Sequence, residues 1–272
     1  MIVRTRLLAL ALAIGGLSVF ASSAAATPWI NPSTGNPYHW ARTANPFTVK
    51  LGSDVTSGWT TYLGGASIDW SKSGNNLNDY FGTFTSTNPL RTTVVGGLTT
   101  GRKCRASSGR VEVCDARYGN NGWLGLATIW VSGDHITQGT VKLNDTYYDS
   151  GFYNTPIWRA GVTCQEVGHT FGLDHQDESG ANFHTCMDYA SAPDMWNTHP
   201  NRYDYSTLVD DYAHLDSTST IAAATTSQGP RGLQRVRDDL YVEDLGAGNR
   251  RFVWVLWSVP SVRHGAPDEG EL

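Results

Sequence analysis

The stretch "TCQEVGHTFGLDHQD", from Thr163 to Asp177, constrains this chain more than any other. Gln165 and His169 stand four residues apart, so in a helix they project from one face. Ile157, Ala160, Cys164, Val167 and Phe171 recur at intervals of three and four, which predicts a buried stripe on roughly the opposite face. Thr155-Pro156 opens the helix, because threonine caps free amides and proline is tolerated at the first helical position. Gly172 ends it and lets the chain swing back, aiming His175 at the point faced by Gln165 and His169. Three donors converging from a helix and the loop after it leave a fourth position open, as a catalytic zinc requires. Glu166, beside the first donor, is placed to reach metal-held water without itself ligating.

The N-terminus has a different character. Arg4 and Arg6 precede an apolar run from Leu7 to Phe20 and the small residues Ala24-Ala25-Ala26, the order of a secretory signal peptide cleaved after Ala26. That run is too short to span a bilayer, and no later stretch is long and apolar enough. A secreted protein without membrane attachment after cleavage is expected. Loss of the leader takes two arginines and no acids, moving the formal charge from -5 to -7. No basic patch points to nucleic acid. The expected organisation is a leader at 1–26, a catalytic domain at 27–216, and a linker with a hairpin-like tail at 217–272. The linker is marked by the Ser/Thr/Ala composition of Ser217 to Gln228. Beyond it, "DLYVEDLGAGNRRFVWVLW" predicts a hairpin turning at Gly246 to Asn249, a small irregular subdomain whose Trp254 and Trp257 pack it onto the main domain. A monomer is expected.

Within the domain, strands are predicted at Pro46 to Gly52, Leu126 to Val131 and Thr140 to Leu143, and a helix from Asp54 to Trp70, giving an α+β class. The 4 cysteines, Cys104, Cys114, Cys164 and Cys186, allow three pairings that sequence does not separate. In an oxidising compartment disulfides are the default, and the sequence-neighbour pairing is favoured. Ser107-Ser108-Gly109 would turn a hairpin with Cys104 facing Cys114, and Cys164–Cys186 would tie the motif helix to a later loop.

"QEVGHTFGLDH" resembles the metzincin signature HExxHxxGxxH, matching at Glu166, His169, Gly172 and His175 and departing at Gln165. "TCMDY" is similar to the Met-turn of that family, with Met187 beneath the metal and Tyr189 at the offset where astacins and serralysins carry a tyrosine that can touch zinc. "GWLGLATIW" and "ITQGTVKLN" resemble the strands before the helix in matrixin-like members, whose edge strand pairs with substrate. The similarity covers about Tyr38 to Leu215. It implies a twisted mixed sheet with an active-site helix over the cleft, and one catalytic Zn2+ held by Gln165, His169 and His175. It further implies an endopeptidase whose extended peptide or protein substrate lies along Leu124 to Ala127, with Glu166 as general base and Tyr189 as oxyanion donor.

Gln165 offers a neutral carbonyl oxygen where zinc prefers nitrogen or sulfur, so weaker zinc binding is expected. The competing expectation is a catalytically inactive, exported binding protein using the same cleft. His184, beside Cys186, is a lesser ligand candidate. Asp174, Asp177, Glu178 and Asp188 lack the spacing of a calcium loop, so calcium is not supported. No G-x-S-x-G elbow or P-loop occurs.

Overall fold

Phe47, Val49 and Leu51 are buried while Thr48 and Lys50 are exposed, the alternation of a strand with one face on a core. This strand, β2, spans Phe47–Asp54 and follows the two-residue β1, His39–Trp40. The computed structural model describes residues 27–149, 151–177, 179–190, 192–221 and 232–258. The expected leader, residues 222–231 of the expected linker segment, and Glu178 lie outside the described residues. After β2 come α1 (Ser57–Trp70), the hairpin β3 (Gly74–Asp79) and β4 (Gly82–Ser86), β5 (Leu90–Gly96) and β6 (Val111–Ala116). Then follow β7 (Trp123–Ser132), β8 (His135–Asn144), the short α2 (Asp145–Tyr148), α3 (Pro156–His169) and α4 (Arg202–Asp211). The tail supplies β9 (Gln234–Arg235), β10 (Leu240–Gly246) and β11 (Asn249–Trp257).

The class is mixed α+β around one large mixed sheet. Its nine strands run β5-β2-β6-β8-β7-β11-β10-β9, with β1 beside the start of β8. β5, β2, β6 and β8 are parallel, and each pairing from β8 through β7, β11 and β10 to β9 is antiparallel. Ala127, Ile129 and Val131 of β7 join Val162, Cys164 and Val167 of α3 in the main core, together with Trp59 and Trp70 of α1. β7 and β8 are longer than expected because Gly133, at φ +60°, lets Ser132 and His135 pair directly across the turn.

Two expectations change. The tail is not a small irregular subdomain: β11 pairs with β7 from Asn249↔Ser132 to Trp257↔Trp123 and so continues the central sheet. Phe252 to Leu256 are buried on both faces, which requires a strand covered on both sides, and β7 has an edge to fill. Trp254 packs the hairpin inward, while Trp257 remains partly exposed. Both neighbour-paired disulfides are present, with Cα separations of 5.8 Å for Cys104–Cys114 and 5.9 Å for Cys164–Cys186. Cys104, however, sits in a loop rather than in a hairpin strand, because both edges of β6 are taken, by β2 and β8.

Helix α3 begins as expected, with Thr155 Oγ1 accepting from the Trp158 amide at 3.3 Å and Pro156 in the first position. From Val162 to His169 it is buried on every side, so the face carrying Gln165 and His169 is covered as well as the apolar stripe. The helix gives way to a turn at Gly172, whose φ of +92° suits glycine, and a Cβ there would lie 1.9 Å from the Tyr38 carbonyl oxygen. Gly172→Ala is therefore expected to lower the unfolding free energy by at least about 2 kcal/mol. Urea titration measures this, and an alanine variant of wild-type stability would show that the turn tolerates a side chain.

Candidate metal centre

His169 closes α3 with its Nδ1 2.9 Å from the Leu173 carbonyl oxygen. A carbonyl only accepts, so Nδ1 carries the proton and Nε2 presents its lone pair. Beyond the Gly172 turn, His175 Nδ1 lies 3.0 Å from Asp239 Oδ2, which fixes the second ring the same way. The two Nε2 atoms are 3.0 Å apart. Two lone pairs at that separation repel unless one ring is charged, and burial, helped by His175, pulls the His169 pKa down to about 3. A shared cation removes the conflict. Two nitrogens each about 2.0–2.1 Å from a tetrahedral zinc stand about 3.3 Å apart, so the pair fits zinc.

Glu166 is fully buried, and neither carboxylate oxygen has a hydrogen-bond partner among the described residues. Burial, and then the charge of Asp239, push its carboxyl well above the usual range. It lies over Gly125 of β7, where an added Cβ would come within 2.7 Å of Oε1. Such an orphaned acid is costly in a finished core and suits a group that finds its partner in a bound ligand. Gln165 is 3% exposed, its Nε2 also lacks a partner among the described residues, and it lines a cavity of about 640 Å³. Trp158, Val162, Tyr189, Asp239 and Leu256 contribute to the same walls.

Met187 lies under the helix: a Cβ on Gly168 would meet its Sδ at 2.5 Å. The turn is held by the Gln176 amide donating to the Met187 oxygen at 2.6 Å, by the Met187 amide donating to Thr185 Oγ1 at 3.1 Å, and by Cys164–Cys186. Tyr189 stands edge-on to His175 with ring centroids 4.6 Å apart. Its hydroxyl donates to the Val255 carbonyl oxygen of β11, part of the protein's own backbone. The expected substrate edge is likewise taken. Gly125, Leu126 and Ala127 pair with Leu256, Val255 and Trp254, so β7 is covered on both sides and does not accept a further strand in this arrangement.

The tail supplies what the sequence pattern did not single out. Arg237 clamps Asp174 with bonds of 2.6 and 2.7 Å and Asp239 with bonds of 3.1 and 3.2 Å. Asp174, His175 and Asp239 bring ligand-type atoms within 4.8 Å of one another, but the guanidinium already supplies the cation there, so Asp239 orients His175 and Asp174 anchors Arg237. Burial opposes ionisation of Asp239, yet the His175 bond and the Arg237 charge outweigh it and hold its carboxyl well below the usual range. Trp254 stacks on the His169 ring, centroids 5.2 Å apart and planes 9° from parallel, and its Nε1 donates to Asp174 at 3.2 Å. The continuous apolar run Phe252 to Leu256 was the one signal for this; Arg237 and Asp239 carry none.

The lesser candidates fall elsewhere. His184 pairs with Asp194 at 3.0 Å and stacks on Tyr80. Asp188 accepts from the Phe183 amide at 2.7 Å, and Asp177 from the Ser179 amide at 2.8 Å, so these acids cap loop amides. No protein-family model matches the chain, and a search of curated proteins finds no match.

The depressed Asp239 carboxyl predicts a pH dependence. A group whose folded pKa lies below its unfolded value contributes stability above about pH 4 that is lost as the pH falls through the folded value. In chelator, Asp239→Asn should unfold more easily than wild type by about 1–3 kcal/mol at pH 7. That difference should shrink below about pH 4. Denaturant titrations at both pH values give it, and a gap independent of pH would remove the ionised pair from the account.

Proposed function

We propose that the chain is an exported zinc-dependent endopeptidase folded in a latent arrangement. The carrying observation is the His169–His175 pair, whose Nε2 atoms lie 3.0 Å apart, together with the buried Glu166, which has no hydrogen-bond partner among the described residues. His169, His175 and Gln165 would hold the ion, with Asp239 orienting His175 and Trp254 bracing His169. Zinc, when bound, acidifies water and polarises a carbonyl. Glu166, whose burial favours the protonated form, would hold the proton taken from water and pass it to the leaving amine. The cavity walls of Trp158, Val162 and Leu256 suit an apolar side chain of an unfolded peptide. Two disulfides support export, and among the described residues no helix is long and apolar enough to cross a membrane.

One observation favours a second reading. β11 occupies the β7 edge and accepts the Tyr189 hydroxyl, as an inactive protein retaining the scaffold for binding would also allow. Cleavage of an unfolded protein by the full chain, with and without chelator, separates the two. Glu166→Gln should keep zinc while losing about 10²- to 10⁴-fold of turnover. Zinc bound without cleavage in any form would favour the binding protein.

Gln165 is tested by competition with a chromogenic chelator. Gln165→His should tighten zinc, since nitrogen replaces a neutral oxygen donor, and Gln165→Ala should weaken it without abolishing it. Equal affinity of the wild type and the alanine variant would remove Gln165 from the ligand set.

A further inference from the structure

Away from α3, three imidazoles converge on one carboxylate oxygen. Asp216 Oδ1 lies 3.3 Å from His39 Nε2, 3.2 Å from His135 Nε2 and 3.5 Å from His214 Nε2. His214 Nε2 is also 3.1 Å from His39 Nε2. His39 comes from β1, His135 from the start of β8, and His214 and Asp216 from the segment after α4. We propose that these four residues form a second zinc site, separate from the His169–His175 pair.

The distances argue against an ordinary hydrogen-bonded cluster. Charge-assisted N–H···O bonds run about 2.7–2.9 Å, and one carboxylate oxygen does not accept three of them well. Where histidine does bond a carboxylate in this protein, His199 Nδ1 stands 2.6 Å from Asp69 and His184 Nδ1 3.0 Å from Asp194. Four of the six separations among these atoms, from 3.1 to 3.5 Å, instead bracket the edge of a tetrahedron of ligands about zinc, about 3.3 Å, and His39, His135 and Asp216 each bring one ligand-type atom within 4.8 Å of the others.

The surrounding groups are arranged as ligand supports. His39 Nδ1 is 2.8 Å from the Pro37 carbonyl oxygen, which holds the proton on that nitrogen and turns the Nε2 lone pair toward Asp216 and His214. Asp216 Oδ2 accepts from the Arg42 amide and from its guanidinium, both at 3.1 Å, which leaves Oδ1 to face the histidines. Arg42 also donates to the His214 carbonyl oxygen. His39 is almost wholly buried, whereas the His135 and His214 side chains are 36% and 48% exposed, so an ion has an entry from solvent. Three nitrogens and one oxygen suit zinc or another borderline divalent ion rather than calcium or magnesium. Bound there, it would cross-link β1, the start of β8 and the segment that leads into the tail.

The full chain, stripped with chelator and dialysed, is titrated with zinc alone and the bound metal counted by elemental mass spectrometry. The double variant His135→Ala/His214→Ala, which alters the two most exposed ligands, should bind one equivalent fewer than wild type. The difference is what counts, so the result stands whether or not the His169–His175 pair binds. Equal stoichiometry overturns the proposal. A second measurement needs no variant: on wild-type protein, zinc should protect His135 and His214 from carbethoxylation, read by peptide mapping, and magnesium should not. Modification of both rings unchanged by zinc overturns the site as surely.

Discussion

The pairing of β11 with β7 is the contact on which the candidate site rests. β7 is held by β8 on one edge and by nine paired positions of β11 on the other. Because paired residues share a face, Ala127 opposite Trp254 and Gly125 opposite Leu256 put the tail's large side chains on the α3 side. Trp254 thus reaches His169, and Leu256 closes the cavity beside the space Gly125 leaves for Glu166. The Val255 amide donates to the Asp239 carbonyl oxygen at 2.8 Å, fixing the residue that orients His175. One antiparallel ladder therefore positions the ring, the wall and the orienting carboxylate together.

Charge accounts for why this buried assembly is tolerable. Asp174 and Asp239 carry two negative charges and Arg237 one positive, a net of −1, while burial and the charge of Asp239 push Glu166 beside them toward its protonated form. A second buried anion next to Asp239 would find no compensation, and burial of an unpaired charge is among the costliest things a fold can do. A divalent cation between the histidines changes the sum: with Glu166 ionised, −2 from the protein meets +2 from the ion. The same ion that relieves the lone-pair conflict would thus let Glu166 act as a base.

Local signals were legible because local physics decides them. The Thr155 cap, the Pro156 start and the Gly172 turn follow from backbone preferences within a few residues, and the structure keeps all three. The cysteine pairing was readable from proximity along the chain, although the hairpin invoked for Cys104 was not, since the neighbours of β6 come from distant segments. The tail was the larger surprise. A strand more than 100 residues from its partner has no local mark of where it docks, and its register is set by which faces are buried. Arg237 and Asp239 are ordinary acidic and basic letters until folding brings them to Asp174 and His175. His39, His135 and His214 likewise share no spacing.

The loop that carries His175 gathers these long-range dependencies into one place. Thr27 Oγ1 donates to the His175 carbonyl oxygen at 2.7 Å, and the Asp174 amide donates to the Thr27 carbonyl oxygen at 2.8 Å. Trp29 continues the clasp, packing its ring edge-on against Phe252 and Trp254 with centroids 5.6 and 5.9 Å apart. From the other side Gln176 bonds the Met187 turn, and from the tail Asp239 meets the ring. Three stretches, near residues 27, 187 and 239, must therefore arrive before His175 can face His169. Two of the three, near residues 27 and 239, are far from His175 in sequence, and closing loops of that length costs entropy that contacts within α3 do not. The facing of the two histidines is thus a product of the completed fold, and removing any of the three stretches should cost the candidate site more than it costs α3.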